Sequence, residues 1–207
     1  MIGHMLRSSW KIALFAVLGA FASPVNAQLL DAAALDSVRT FRSLERAMLD
    51  PDHVFRLDLS DQKLKEVPDL RRFKNLNALD LSHNRLRTLP TWIAELPHLQ
   101  ELRVSRNKLM EFPEGICRLS HLKRLDLSRN ALTGLPKCMG GLKELTSLDL
   151  WDNDLMDFPA QIAGMEALRF LDLRNIQFEI PEMERIDGLF PRAKVYFSQP
   201  CNCGAQP

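Results

Sequence analysis

The sequence predicts an α/β solenoid: a right-handed coil of short parallel strands, one per turn, with helical or irregular returns and a cap at each end. Three observations lead there. A stretch of the form "LDLSHNRLRTLP" (79–90) occurs six times, its first Leu at 57, 79, 102, 125, 148 and 171, so that the spacings are 22, 23, 23, 23 and 23. A fixed period in the twenties is the mark of a stacked repeat. Within each copy, two apolar residues alternate about a polar one (Leu79 and Leu81 about Asp80), the period-2 rhythm of a strand with one face inward. Finally, Asn recurs three residues after the second of these: Asn84, Asn107, Asn130 and Asn153.

The elements follow in order. Residues 1–27 read as a signal peptide: Arg7 and Lys11, an apolar run from Ile12 to Ala22, then Val25-Asn26-Ala27 ahead of Gln28. The run is about half of the ~20 residues that cross a bilayer, so no stable membrane insertion is expected after cleavage. Residues 28–53 read as a helical cap, with apolar residues at 35, 38, 41, 44 and 48 and a stop at Pro51. Residues 54–181 hold the repeats. Residues 182–197 read as a second cap, in which "ERIDGLFPRAKVYF" offers a helical turn, a Pro stop and a strand over 193–197. Residues 198–207 are a Cys-containing tail.

Inside one copy the strand Leu residues face a core. The Asn turns the chain away and its amide bonds the backbone groups that the turn strands, each worth about 1–3 kcal/mol if left unpaired. Leu86 and Leu89 return apolar mass inward. On the return side Ile93, Ile116, Met139 and Ile162 form one core column, and Leu96, Leu119, Leu142 and Met165 another.

These copies resemble leucine-rich repeats of the 23-residue type, LxxLxLxxNxLxxLPxxIxxL, over residues 54–181. Gln62 replaces the Asn in the first copy, and the sixth is one residue short with Ile176 near that position; end repeats of a solenoid are usually atypical. The resemblance implies an arc with its parallel sheet on the concave side and short helical or irregular turns on the convex side. A helix followed by "VFRLDLS" is similar to the opening of exported bacterial leucine-rich repeat proteins. The implied location is secreted, periplasmic or at the cell surface.

Charge excludes some functions. Removal of residues 1–27 leaves 25 Lys and Arg against 26 Asp and Glu, a net of about −1, without the basic footprint of a nucleic-acid binder. The five His have no metal-like spacing, and no phosphate loop, GxSxG or HExxH is present. No catalytic residue, metal or cofactor is expected, and the reading is non-enzymatic.

Four Cys in an exported chain suggest disulfides. Cys117 and Cys138 fall on neighbouring turns, either bridged or as one half-buried and one exposed thiol. Cys201 and Cys203 have several open fates: an internal bridge, closure onto the last repeat, a bond to a second chain, or reduction.

Partner recognition is expected on the side chains that leave the concave sheet. Their first column is Arg56, Ala78, Glu101, Arg124, Ser147 and Phe170. The middle is Asp58, Asp80, Arg103, Asp126, Asp149 and Asp172, and the last is Ser60, Ser82, Ser105, Ser128, Trp151 and Arg174. Arg103 is expected to pair with both Asp80 and Asp126. Asp126, Asp149 and Asp172 then form a row, either structural or an acidic stripe for a basic group. Trp151 interrupts a column of Ser, with Phe170 in the next strand and Arg174 beside it. Together with Arg106 and Arg129 at the strand exits, these residue types are those of binding hot spots, unless the aromatics pack on each other or on the cap. The expected partner is a protein. A glycan or peptidoglycan, with sugar rings on Trp151 and Phe170, and a self-assembling envelope protein are the alternatives.

Overall fold

The computed structural model describes residues 29–198. The segment 1–27 and the pair Cys201 and Cys203 lie outside them. Eight parallel strands form one open sheet in chain order: β1 (Thr40–Phe41), β2 (Arg56–Asp58), β3 (Ala78–Asp80), β4 (Glu101–Arg103), β5 (Arg124–Asp126), β6 (Ser147–Asp149), β7 (Phe170–Leu173) and β8 (Lys194–Phe197). The register equals the repeat: Leu57, Leu79, Leu102, Leu125, Leu148 and Leu171 are aligned partners. All six are buried, as are both return columns, so the coil surrounds one continuous apolar core.

Returns on the convex side are five-residue 3-10 turns, Thr91–Glu95, Glu114–Arg118, Lys137–Gly141 and Ala160–Gly164, each directly after a Pro. Each Pro is the capping residue in extended backbone, with its own φ fixed by the ring and no N–H to leave unpaired. Two contacts tie these turns together. Cys117 and Cys138 are bridged, with Cα atoms 5.8 Å apart. Gly140 and Gly164 meet backbone to backbone: a Cβ at Gly140 would lie 2.1 Å from the Gln161 carbonyl oxygen, so only glycine fits.

The Asn side chains close the coil. The Asn153 amide donates to the carbonyls of Leu127 (3.0 Å) and Leu150 (2.8 Å), and its Oδ1 accepts from Leu132 N–H (3.1 Å). Asn84, Asn107 and Asn130 repeat this pattern one coil apart. The residue before each is left-handed: His83, Arg106, Arg129 and Asp152 have φ between 53 and 60°. The turn requires it, because the N–H of that residue then reaches the next strand's exit, as Arg129 N–H does to the Trp151 carbonyl at 2.7 Å.

The amino-terminal cap differs from the expected single helix. Its residues form α1 (Ala32–Ser37), β1, α2 (Leu44–Ala47) and a 3-10 turn (Pro51–His53). Asp31 caps α1 and Ser43 restarts the helix as α2. Between them Val38, Thr40 and Phe41 are β-branched or aromatic and take the strand alternative. β1 and α2 cover the open end, whereas α1 lies across the strand starts. There the Leu30 carbonyl accepts from Gln100 Nε2 (2.7 Å), and Arg56 donates to the Leu35 carbonyl (3.1 Å). At the other end, α3 (Ile180–Leu189) takes in the last two residues assigned to the repeats, and β8 continues the sheet. No helix among the described residues is long and apolar enough to cross a membrane.

Three outcomes follow. Asn153→Ala strands three buried backbone partners and lowers unfolding free energy by about 2–4 kcal/mol. Gln62→Ala, which loses only an exposed 3.5 Å bond to the Arg42 carbonyl, changes it by less than about 0.5 kcal/mol; urea unfolding followed by circular dichroism measures both. Reduction of Cys117–Cys138, which closes a sequence separation of 21 residues, lowers it by about 3 kcal/mol, and Cys138→Ser abolishes the reductant effect.

Candidate partner-binding surface

The middle column of the concave face is first a structural device. Each Asp accepts, through Oδ1, the backbone N–H two residues on: Asp58 from Ser60 (3.0 Å), Asp80 from Ser82 (2.8 Å), Asp126 from Ser128 (3.0 Å), Asp149 from Trp151 (3.0 Å) and Asp172 from Arg174 (3.0 Å). Short Asx side chains bond backbone two residues ahead in this way, and the second carboxylate oxygen of each Asp is left for other partners. Three are matched by a cation. Arg42 approaches Asp58 at 3.3 Å, Arg103 approaches Asp80 at 3.8 Å, and Arg174 grips Asp172 with Nη2 at 2.5 Å. Arg103 was expected to bridge Asp80 and Asp126; among the described residues only Asp80 is within its ion-pair distance. Asp126 is instead held by the Ser128 hydroxyl at 2.7 Å.

Asp126 and Asp149, register partners on β5 and β6, have no ion-pair partner among the described residues. Burial pushes the Asp149 carboxyl up to about 6, and the carboxylates of Asp126 and Asp172 on either side act in the same direction against the Trp151 N–H and Arg174. No group of three or more His, Cys, Asp or Glu among the described residues is arranged to hold a metal ion.

The first column holds an element that sequence reasoning missed. Glu101 is 7% exposed and lies between Arg124 (2.9 Å) and Arg56 (3.5 Å), although Arg56 is two strands away. Ala78, on the strand between, is small enough to leave the path open. The Arg–Ala–Glu–Arg order was the available signal. Arg124 is thus engaged within the sheet, as is Arg56, and a cavity of about 180 Å³ opens above Ala78 between Arg56, Asp58, Asp80, Glu101 and Arg103.

The expected aromatic patch divides. Trp151 is partly exposed and carries the Arg129 guanidinium 4.3 Å from its ring centre; Arg174, expected there, is drawn off by Asp172. Phe170 packs on Tyr196 of β8, with ring centres 5.2 Å apart. The reason is register. Phe170 aligns with Ser147, four residues before Trp151, which is about 13 Å along the strand. Arg129 owes its position to its left-handed backbone, and it also approaches Asp152 at 3.8 Å. Arg106, one coil earlier, has the same backbone and is exposed. The structure therefore brings Asp126, Asp149, Trp151 and Arg129 together, with Arg106 one coil away. Arg124 and Phe170 stand at the other end of the strands, and Asp172 and Arg174 neutralise each other.

A family model described as leucine rich repeat matches residues 52–109 and 113–155. A leucine-rich repeat protein of Leptospira interrogans superposes with a TM-score of 0.62 at 30% identity, over 79% of this chain and 47% of that one. This chain thus spans about half the length of that relative. Internalin C2 of Listeria monocytogenes gives 0.62 at 21% identity, over 76% and 66%, a likeness of fold. The ectodomain of the Arabidopsis thaliana membrane receptor kinase GASSHO1/SCHENGEN3, solved in complex with CASPARIAN STRIP INTEGRITY FACTOR 2, gives 0.59 at 30%, over 70% and 18%. Comparison with curated protein sequences finds no match. Leucine-rich repeat domains are generally protein–protein interaction modules. By repeat, register and likeness, the chain belongs to the leucine-rich repeat family.

Proposed function

We propose that the chain is an exported, non-enzymatic binding protein that takes a protein partner on its concave face over β5 to β7. One observation carries this reading. A partly exposed Trp, fixed by a stacked Arg, stands beside two carboxylates that form no ion pair among the described residues. Rigid aromatics and Arg dominate interface energetics, and a half-desolvated carboxylate is stabilised when a partner supplies the missing cation. Export is supported by the segment 1–27 and by the Cys117–Cys138 bridge, since disulfides persist in oxidising compartments. A sugar platform built on Trp151 and Phe170 loses its second ring to Tyr196, so a protein partner is preferred.

Capture from the host's envelope and secreted fractions tests the reading. Trp151→Ala is expected to weaken capture about 30-fold. Asp126→Asn with Asp149→Asn, which keeps the backbone acceptors, is expected to weaken it as well. Phe170→Ala, at the far end of its strand, has the smaller effect. Equal capture by wild type and Trp151→Ala refutes the site, and a captured glycan in place of a protein refutes the partner class.

Asp149 also sets a pH dependence of stability. Asp149 titrates near 6 when folded and near 3.8 when unfolded, so the folded state holds the extra proton between those values. Its contribution therefore turns unfavourable as pH rises through that window, is fully so above about 6, and vanishes below about 3.8. Asp149→Asn is expected to raise Tm relative to wild type at pH 7, with the difference closing toward pH 4 in thermal melts.

A further inference from the structure

The open sheet has two edges, and they are built differently. β1 is two residues long and flanked by Arg39, whose guanidinium lies 4.7 Å over the Phe41 ring, and by Arg42, which pairs with Asp58. A short edge lined with charge resists further pairing. β8 is four residues long, and Lys194, at its start, is its sole charged residue.

The Lys194 N–H donates inward to the Arg169 carbonyl at 2.8 Å. By the alternation of strand backbone, Val195 and Phe197 turn their N–H and C=O groups to the open side. The same two residues align with Leu171 and Leu173 of the core columns, yet both stay partly exposed, because apolar neighbours cover them from one side. Tyr196, between them, points to the concave face with Phe170 and with the Lys194 ammonium 4.7 Å from its ring centre.

We infer that β8 is a self-pairing edge through which two copies of this chain join antiparallel about a twofold axis at Tyr196. In that register Val195 of each copy faces Phe197 of the other. Each such pair exchanges two N–H···O=C bonds, so that all four outward backbone groups of each edge are satisfied. The apolar side chains of the two pairs close the ends of both cores against each other. Tyr196 meets Tyr196, and Lys194 faces Ser198, so no like charges stand opposed. A second copy is the occupant that this edge fits, because an antiparallel pair of identical strands is isologous and here meets charge and core continuity at every position. The twofold runs perpendicular to the sheet, so both concave faces look to the same side. The inference does not depend on which molecule those faces bind.

Sedimentation velocity of the exported chain over a concentration series, with reductant present, tests it. Wild type is expected to pass from one to two chain masses as concentration rises. Val195→Pro removes an outward donor while sparing the bonds to β7, and Tyr196→Lys sets two ammonium groups face to face at the axis. Each is expected to weaken dimerisation about tenfold or more. Circular dichroism establishes that the variants are folded, and if one is not, the other decides. A wild type that stays monomeric throughout overturns the inference. So does a dimer that persists undiminished in the folded variants. A dimer seen only without reductant also overturns it, by assigning association to the Cys201 and Cys203 tail.

Discussion

Everything in this fold depends on satisfying backbone groups at the exits of very short strands. Most strands of the sheet have three residues, too few to hold a sheet together unless each turn that follows is closed as well. The chain closes it with three coupled devices. The Asn amide spans two coils, the Asp carboxylate holds the N–H two residues on, and a left-handed residue between them donates to the next coil. A left-handed backbone costs about 1–2 kcal/mol for a residue such as Arg. It persists at Arg106 and Arg129 because the surrounding bonds over-determine it. The same geometry that closes the coil therefore aims Arg129 at Trp151, so the candidate site is a by-product of the closure.

The concave face divides by electrostatics. From β2 to β4 its charges are mutually consumed, with Glu101 held between two Arg and Asp58 and Asp80 each facing a cation. From β5 to β6 two carboxylates have no ion-pair partner among the described residues, beside the sole Trp of the sheet columns. Desolvation without compensation is costly to the free protein and becomes favourable only when another molecule brings the opposite charge. Internal neutrality at one end and a deficit at the other set the two halves apart.

Much of this was legible in the residues and some was not, for identifiable reasons. A strict period fixes register, so the core columns, the Asn positions and the membership of each concave column could be read by counting from Leu57 to Leu171. Membership of a column does not say how far a side chain reaches. Arg56 meets Glu101 only because Ala78 leaves room, and Arg174 turns to its own Asp172 and away from Trp151. Trp151 and Phe170 sit on adjacent strands, but at opposite ends of them. At the amino terminus the spacing of Leu35, Phe41 and Leu44 suits one helix, and all three do turn inward or pack on the core. They do so from a helix, a strand and a second helix, because Ser43 caps a new start and an unpaired sheet edge was available to Phe41.

The Gly140–Gly164 contact carries a consequence for shape. A hypothetical Cβ at Gly140 lies 3.7 Å from the Gly164 Cα, and the neighbouring coils are joined by the bridge with Cα atoms 5.8 Å apart. Strands on the opposite side advance by about 4.8 Å. Two backbones in contact and a covalent bridge limit how far the convex side of these coils can spread, so the strands are braced from behind as well as by their own ladder. A face braced in that way keeps its columns at fixed separations when another molecule lies across them.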